Sequence, residues 1–259
     1  MLAFYYPRTF EGLLSAVFDA YKRRSFPDLL LEEGDVAPLT VSARHRVEQT
    51  PEKSGRVFAA LQKKLSRLAM QKAMLVWLSE VPGSDLLLFN YIRRVIDSPR
   101  LLELDLTDPL VLEVNLLARK VACERSKLLG FVRFQKTAEG IYFSAIAPCY
   151  NVLSLLLTHF AERFADERWL IYDLKRRCGV FHENGRFHSP ELDAPTLREL
   201  DKSGRLSTDK LAADETLLQE MWQGYFKSIA IQERRNPELQ RRLMPRRYWK
   251  YLTEMQGRA

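Results

Sequence analysis

Three pairs of adjacent arginines, Arg234 and Arg235, Arg241 and Arg242, and Arg246 and Arg247, fall in the run QERRNPELQRRLMPRRYWKYL at residues 232–252. Guanidinium groups grip phosphate bidentately, and the neighbouring Tyr248, Trp249 and Tyr251 could stack on bases. Lys250 adds a further cation. Residues 227–258 hold nine basic side chains, Arg258 among them, against three acidic ones, so nearly the whole net charge of +7 sits there. This is a composition suited to a nucleic acid. An alternative stays open at this level: Tyr248 and Trp249 as core anchors of a docked tail, with the arginines solvated or paired to acids such as Glu233.

A second stretch, HFAERFADERWLIYDLKRRCG, gathers His159, Glu162, Arg163, Asp166, Arg168, Asp173, Arg176 and Arg177. His159, Glu162 and Arg163 would share a helix face, and Asp173 near a strand end could act as a general base. The catalytic residues are unknown, with His159 and Asp173 the weak candidates, because satisfied hydrogen bonds and ion pairs explain the same residues. No P-loop, G-x-G-x-x-G, H-E-x-x-H or Ser/His/Asp order is present. His182 and His188 flank the Asn184-Gly185 turn with Cys178 upstream, but chance supplies such spacing often, and no metal site is expected. A further basic set on one helix expected over residues 52–72 (Lys53, Arg56, Lys63, Lys64, Arg67 and Lys72) forms no single stripe and reads as a solvated face.

With 259 residues, 46% of them hydrophobic, the chain can bury a core of one large or two small domains. Its apolar runs fall short of the roughly 18 residues a membrane span needs, and MLAFYYPRTFEG lacks the basic start of an export signal. A cytoplasmic protein is expected. Cys123, Cys149 and Cys178 have no C-x-x-C spacing, so no cofactor is expected from this chain's own ligands.

The elements that would position these residues follow from periodicity and punctuation. LAFYY reads as a strand ended by Pro7, and Thr9 caps a helix to about Lys22. Residues 39–47 read as a second strand, and Thr50-Pro51 opens a run of helices broken near residues 81–84 and 97–99. After Pro109 a long helix carries Leu110, Val114, Leu117, Val121 and Leu128 as its stripe. FVRFQKTAEGIYFSAIAP reads as a hairpin, Asn151 caps a helix, and WLIYDLKRR with CGVFHENGRFH reads as further strands. Residues 189–213 read as a surface loop and 215–235 as an amphipathic helix. The expected fold is α+β: a helical N-terminal half and an antiparallel sheet built from two hairpins flanking a helix, with C-terminal helices packed on it. The expected parts are 1–128 and 129–259, as one compact unit.

The stretches HFAERFADERWLIYDLKRRCGVFHENG and IQERRNPELQRRLMPRRYWKYLTE resemble those of a bacterial DNA-metabolism family, and RKVACERSKLLGFVRF extends the likeness. That family is a domain of unknown function that also occurs fused ahead of uracil-DNA glycosylase-like domains and is associated with a radical-SAM protein of DNA modification or repair. Matching positions include Arg133, Phe134, His159, Phe160, Arg163, Phe164, Trp169, Asp173, Arg176, Arg234, Arg235, Asn236, Pro237, Met244, Pro245, Arg247, Tyr248 and Trp249. The resemblance implies DNA and a radical-SAM protein as partners. No glycosylase-like domain is expected after Ala259, so uracil excision is not. The leading expectation is an accessory DNA-binding protein working with a radical-SAM enzyme, through Arg133, Arg163, Arg176, Arg177, Arg234, Arg235, Arg246, Arg247, Tyr248 and Lys250. The alternatives are an enzyme acting on DNA or nucleotides and a protein-interaction adapter without DNA contact.

Overall fold

The computed structural model describes residues 1–256, so Arg258 lies outside the described residues. The chain divides into two compact units, Met1–Ala122 and Cys123–Ala259.

In the first unit, β1 (Leu2–Tyr6) is the central strand of a parallel three-stranded sheet between β2 (Leu29–Glu32) and β3 (Ala43–Arg46). The expected second strand is thus shortened to Ala43–Arg46, and β2 is an addition. α1 (Phe10–Arg23) is the crossover that makes the β1–β2 pair parallel, and the Thr9 hydroxyl caps it by accepting from the Gly12 N–H at 2.9 Å. Phe4 and Tyr6 are buried in one core with Leu13, Leu14 and Val17 of α1. α2 (Pro51–Lys64) begins at the expected Thr50-Pro51 cap. It stops where Ser66 caps α3 (Arg67–Trp77), so the expected continuous helix over residues 52–72 is two. The breaks near residues 81–84 and 97–99 are present, because α4 spans Ser84–Asp97.

α5 (Pro109–Phe131) opens on the Asp108 carboxylate, which accepts from the Leu110 N–H at 2.9 Å. Its buried positions are Val111, Val114, Ala118, Val121, Glu124 and Leu128, which moves two positions of the expected stripe along by one. The same buried face carries a carboxylate, Glu124, between Val121 and Leu128.

The second unit holds a five-stranded sheet in the order β4-β5-β6-β7-β8. β4 (Gln135–Lys136) and β5 (Tyr142–Ile146) form the first hairpin, and α6 (Leu153–Arg163) follows, capped at Val152 without a side-chain bond rather than by Asn151. β6 (Trp169–Asp173), β7 (Cys178–Glu183) and β8 (Arg186–His188) form a meander whose last turn places Asn184 at φ 51° and Gly185 at φ 73°. Two positive φ values in a two-residue loop are what a type I′ hairpin requires. The α+β class is as expected, with one pairing changed. β5 and β6 run parallel, because α6 returns the chain across the sheet before β6 enters; the sheet is mixed, not antiparallel.

The expected loop over residues 189–213 contains α7 (Ala194–Ser203). Pro195 lies in its first turn, Gly204 takes the left-handed conformation at its end, and Leu200 is fully buried against the sheet residues Phe143 and Leu170. α8 (Glu215–Ser228) ends seven residues before the expected limit, and α9 (Pro237–Leu243) is capped by the Asn236 side chain at 2.9 Å. A 3₁₀ segment, Arg246–Tyr251, then returns to the sheet, with Tyr248 and Leu252 buried and Tyr251 packed beside Leu200.

Candidate nucleic-acid interface

The arginines divide into those held by carboxylates and those that are not. Four acids organise the first group. Glu124, 2% exposed, accepts the backbone N–H of Cys149 at 3.0 Å and of Tyr150 at 2.9 Å, and the Tyr248 hydroxyl at 2.8 Å. Arg247 donates to the Tyr248 oxygen at 2.9 Å and stands 3.5 Å from Glu124. Desolvation works against the Arg247 charge, but Tyr248, Cys149 and Glu124 outweigh it and leave its pKa above the ordinary value. Burial and the Glu124 carboxylate together raise the Tyr248 phenol and keep it neutral. Both residues therefore fasten the tail, and Tyr248, packed 5.3 Å from the Phe131 ring, has no face free for a base.

Glu254 is the second acid. Arg133 grips it with two donors at 2.7 and 3.2 Å, and the Trp222 indole adds a third at 3.0 Å. Burial pushes this carboxyl up, but the bonds from Arg133, the backbone and Trp222 prevail and hold it below the usual carboxylate range. Asp173 is the third. Fully buried, it accepts the backbone N–H of Lys175 at 2.9 Å and of Arg176 at 3.2 Å, and pairs with the Arg176 guanidinium at 2.9 Å. Arg176 also reaches the carbonyls of Pro148 and Cys149. Asp201 completes the set, taking Arg177 at 2.7 Å on its carboxylate and Lys250 on its backbone oxygen.

His159 lies half-buried on α6 with its ring edge-on to Phe160, and among the described residues no hydrogen bond joins it to Asp173. The two acid-base candidates are not brought together. Arg163 is exposed on the same helix, 5.6 Å from the Phe164 ring. The motif aromatics around it, Phe134, Phe160, Phe164 and Trp169, pack on one another as core. His182 is buried and stacked on Trp169, whereas His188 pairs across the hairpin with Phe181 and so points to the opposite face. Among the described residues no three His, Cys, Asp or Glu side chains converge to hold a metal.

The basic set on residues 53–72 is largely tied down. Lys53 pairs with buried Asp19 at 3.1 Å, Arg56 with Glu52 at 2.8 Å, Lys64 caps the carbonyls of Ile96 and Ser98, and Lys72 bonds Asn115.

The second group of arginines surrounds a groove of about 790 Å³ formed by the end of α8, α9 and the 3₁₀ segment. Lys227, Arg234, Arg235, Arg241 and Arg246 line it, with no carboxylate among its described lining residues. None of the five makes a salt bridge to a described residue, and Arg246 lies 5.7 Å from the Trp249 ring centroid. The indole N–H of Trp249 donates to the Met244 carbonyl at 2.9 Å, which fixes the ring on the groove wall. Beside the groove, α8 turns Leu217, Leu218, Met221 and Tyr225 outward, each at least 48% exposed.

Sequence reasoning missed Glu124 and Glu254, the two acids that sort the arginines. Glu124 carried a signal, an acid three residues after Val121 and four before Leu128 on a buried stripe. Glu254 carried none. No curated protein matches the chain. Residues 82–254, which contain both acids and every lining residue of the groove but Met255, match the profile of the DUF4130 domain of unknown function, and the chain belongs to that family.

Proposed function

We propose that this chain is an accessory DNA-binding protein of DNA repair or modification that works with a radical-SAM partner and holds DNA at the arginine-rimmed groove. The observation that carries the reading is the groove itself: five cations, none in a salt bridge with a described residue, around a concave surface without a lining acid. Uncompensated positive charge concentrated in a concavity attracts phosphate. The contact set narrows accordingly to Arg234, Arg235, Arg246 and the additional Lys227 and Arg241. Arg133, Arg176, Arg177, Arg247, Tyr248 and Lys250 instead make contacts within the second unit, and Arg163, exposed on α6, is not among the lining residues of the groove. The radical-SAM partner and the DNA repair or modification context rest on the family resemblance.

Fluorescence anisotropy with labelled DNA across a salt series tests this. Four neutralised phosphates give a log–log slope of about −3 to −4, and Arg234→Ala with Arg235→Ala should reduce it by about 1.5–2. No binding at low salt, or an unchanged slope in the double variant, overturns the reading.

A second reading is favoured by the outward apolar stripe of α8, which suits a protein partner better than DNA. If this stripe alone carries function, Met221→Asp abolishes co-purification with the partner after nuclease treatment, and the isolated chain has no DNA affinity.

A further inference from the structure

We propose that the groove takes single-stranded DNA in preference to duplex, with bases turned onto its floor and phosphates on its arginine rim. This rests on the nucleic-acid reading above and specifies the form of DNA. The floor is the reason. Ile229, Ile231, Leu239 and Leu243 line the groove between the arginines, and each is more than a third exposed. A duplex offers such a surface sugars, phosphates and base edges but not base faces, because its bases are stacked on one another. An unpaired strand offers the apolar faces of its bases, which stack on aromatic and apolar side chains while cations track the backbone.

Size and shape agree. A volume of about 790 Å³ falls within the roughly 300–1,000 Å³ of sites that enclose a small molecule, room for about one or two bases and not for a double helix. α9 has seven residues, about 10 Å of helix, and turns Leu239, Arg241 and Leu243 into the concavity. Trp249, with its edge anchored on Met244, supplies a fixed ring beside this floor, and the Arg246 guanidinium near it supplies a cation for the adjoining phosphate.

The test uses the full chain and three probes at low salt: an oligothymidylate of about 16 nucleotides, a duplex of the same length and a strand of abasic sites. The oligothymidylate should bind at least about tenfold more tightly than either of the others. Leu239→Ser with Leu243→Ser should weaken oligothymidylate binding by about tenfold and so remove that preference, with far-ultraviolet circular dichroism showing that the fold is kept; a preference that survives the double variant overturns this inference. Duplex or abasic strand bound as tightly as oligothymidylate overturns this inference and leaves the nucleic-acid reading standing. Failure of all three probes to bind overturns the reading beneath it.

Discussion

Replacing Glu124 with Gln changes one oxygen into a nitrogen at a buried acid of the second unit that accepts three hydrogen bonds. The carboxylate now accepts two backbone N–H groups and one phenol, with Arg247 alongside. An amide has a single acceptor oxygen. If that oxygen keeps Cys149 and Tyr248, the new NH₂ faces the Tyr150 N–H donor to donor, and a part-buried amide left unpaired costs about 1–3 kcal/mol. The two surviving bonds change from charge-assisted to neutral, about 1 kcal/mol each, while relief from burying a charge returns some of that loss. The net is a destabilisation of about 2–4 kcal/mol, or about 5–15 °C in Tm for a chain of this size. Thermal unfolding followed by near-ultraviolet circular dichroism measures it, and hydrogen exchange at the Cys149 and Tyr150 amides localises it. Tyr248→Phe removes one of the same bonds and should cost about 1.5–3 kcal/mol. Because the two changes share a bond, the double variant should lose at least about 1 kcal/mol less than the sum. A Tm within about 2 °C of the unmodified chain for Glu124→Gln, or strict additivity of the pair, would refute the role given to this carboxylate.

Two further outcomes follow from the tail's other attachments. At Gly204, φ is 74° and an added methyl would stand 2.9 Å from the Lys250 chain and 3.0 Å from the Tyr251 ring, so Gly204→Ala should cost about 1–3 kcal/mol by chemical denaturation. Gly185→Ala, with the same backbone sign and open space around it, should cost only the conformational part, about 1–2 kcal/mol, so equal losses at the two sites would contradict the close approach. Glu254 binds its proton less readily folded than unfolded, so the stability it contributes is complete above about pH 4.5 and is lost as pH falls through its depressed folded value. Glu254→Gln should accordingly flatten the acid limb of a stability–pH curve, and an unaltered limb would show that Arg133 does not hold this carboxylate.

What could be read from the sequence was local. Thr9, Thr50 with Pro51, and Asn184 with Gly185 each announce a cap or turn through their own backbone chemistry, and the structure places all of them as expected. The α2–α3 break at Ser66 hid inside continuous apolar periodicity, and α7 hid inside a polar stretch whose two informative leucines are three residues apart. The parallel β5–β6 pairing depends on where α6 returns the chain, which no strand records in its own residues. The arginines show the same limit more sharply. Arg246 and Arg247 are adjacent and chemically identical, yet one lines the groove and the other stands beside an acid more than a hundred residues earlier in the chain. Only the fold distinguishes them.

The bond between Tyr248 and Glu124 spans 124 residues of sequence, and that span has a temporal meaning. At about 5–20 residues per second, roughly 6–25 s pass on the ribosome between the appearance of the carboxylate and that of the phenol. The β6–β7–β8 meander, closed by a two-residue loop, can form early in that interval. Glu124 meanwhile sits on an apolar helix face without its latest partners, so the nascent second unit passes through a stage with a wet, unsealed core. Chaperone occupancy or pulsed proteolysis of stalled nascent chains should therefore drop abruptly once residue 248 has cleared the exit tunnel, and not when the sheet is complete.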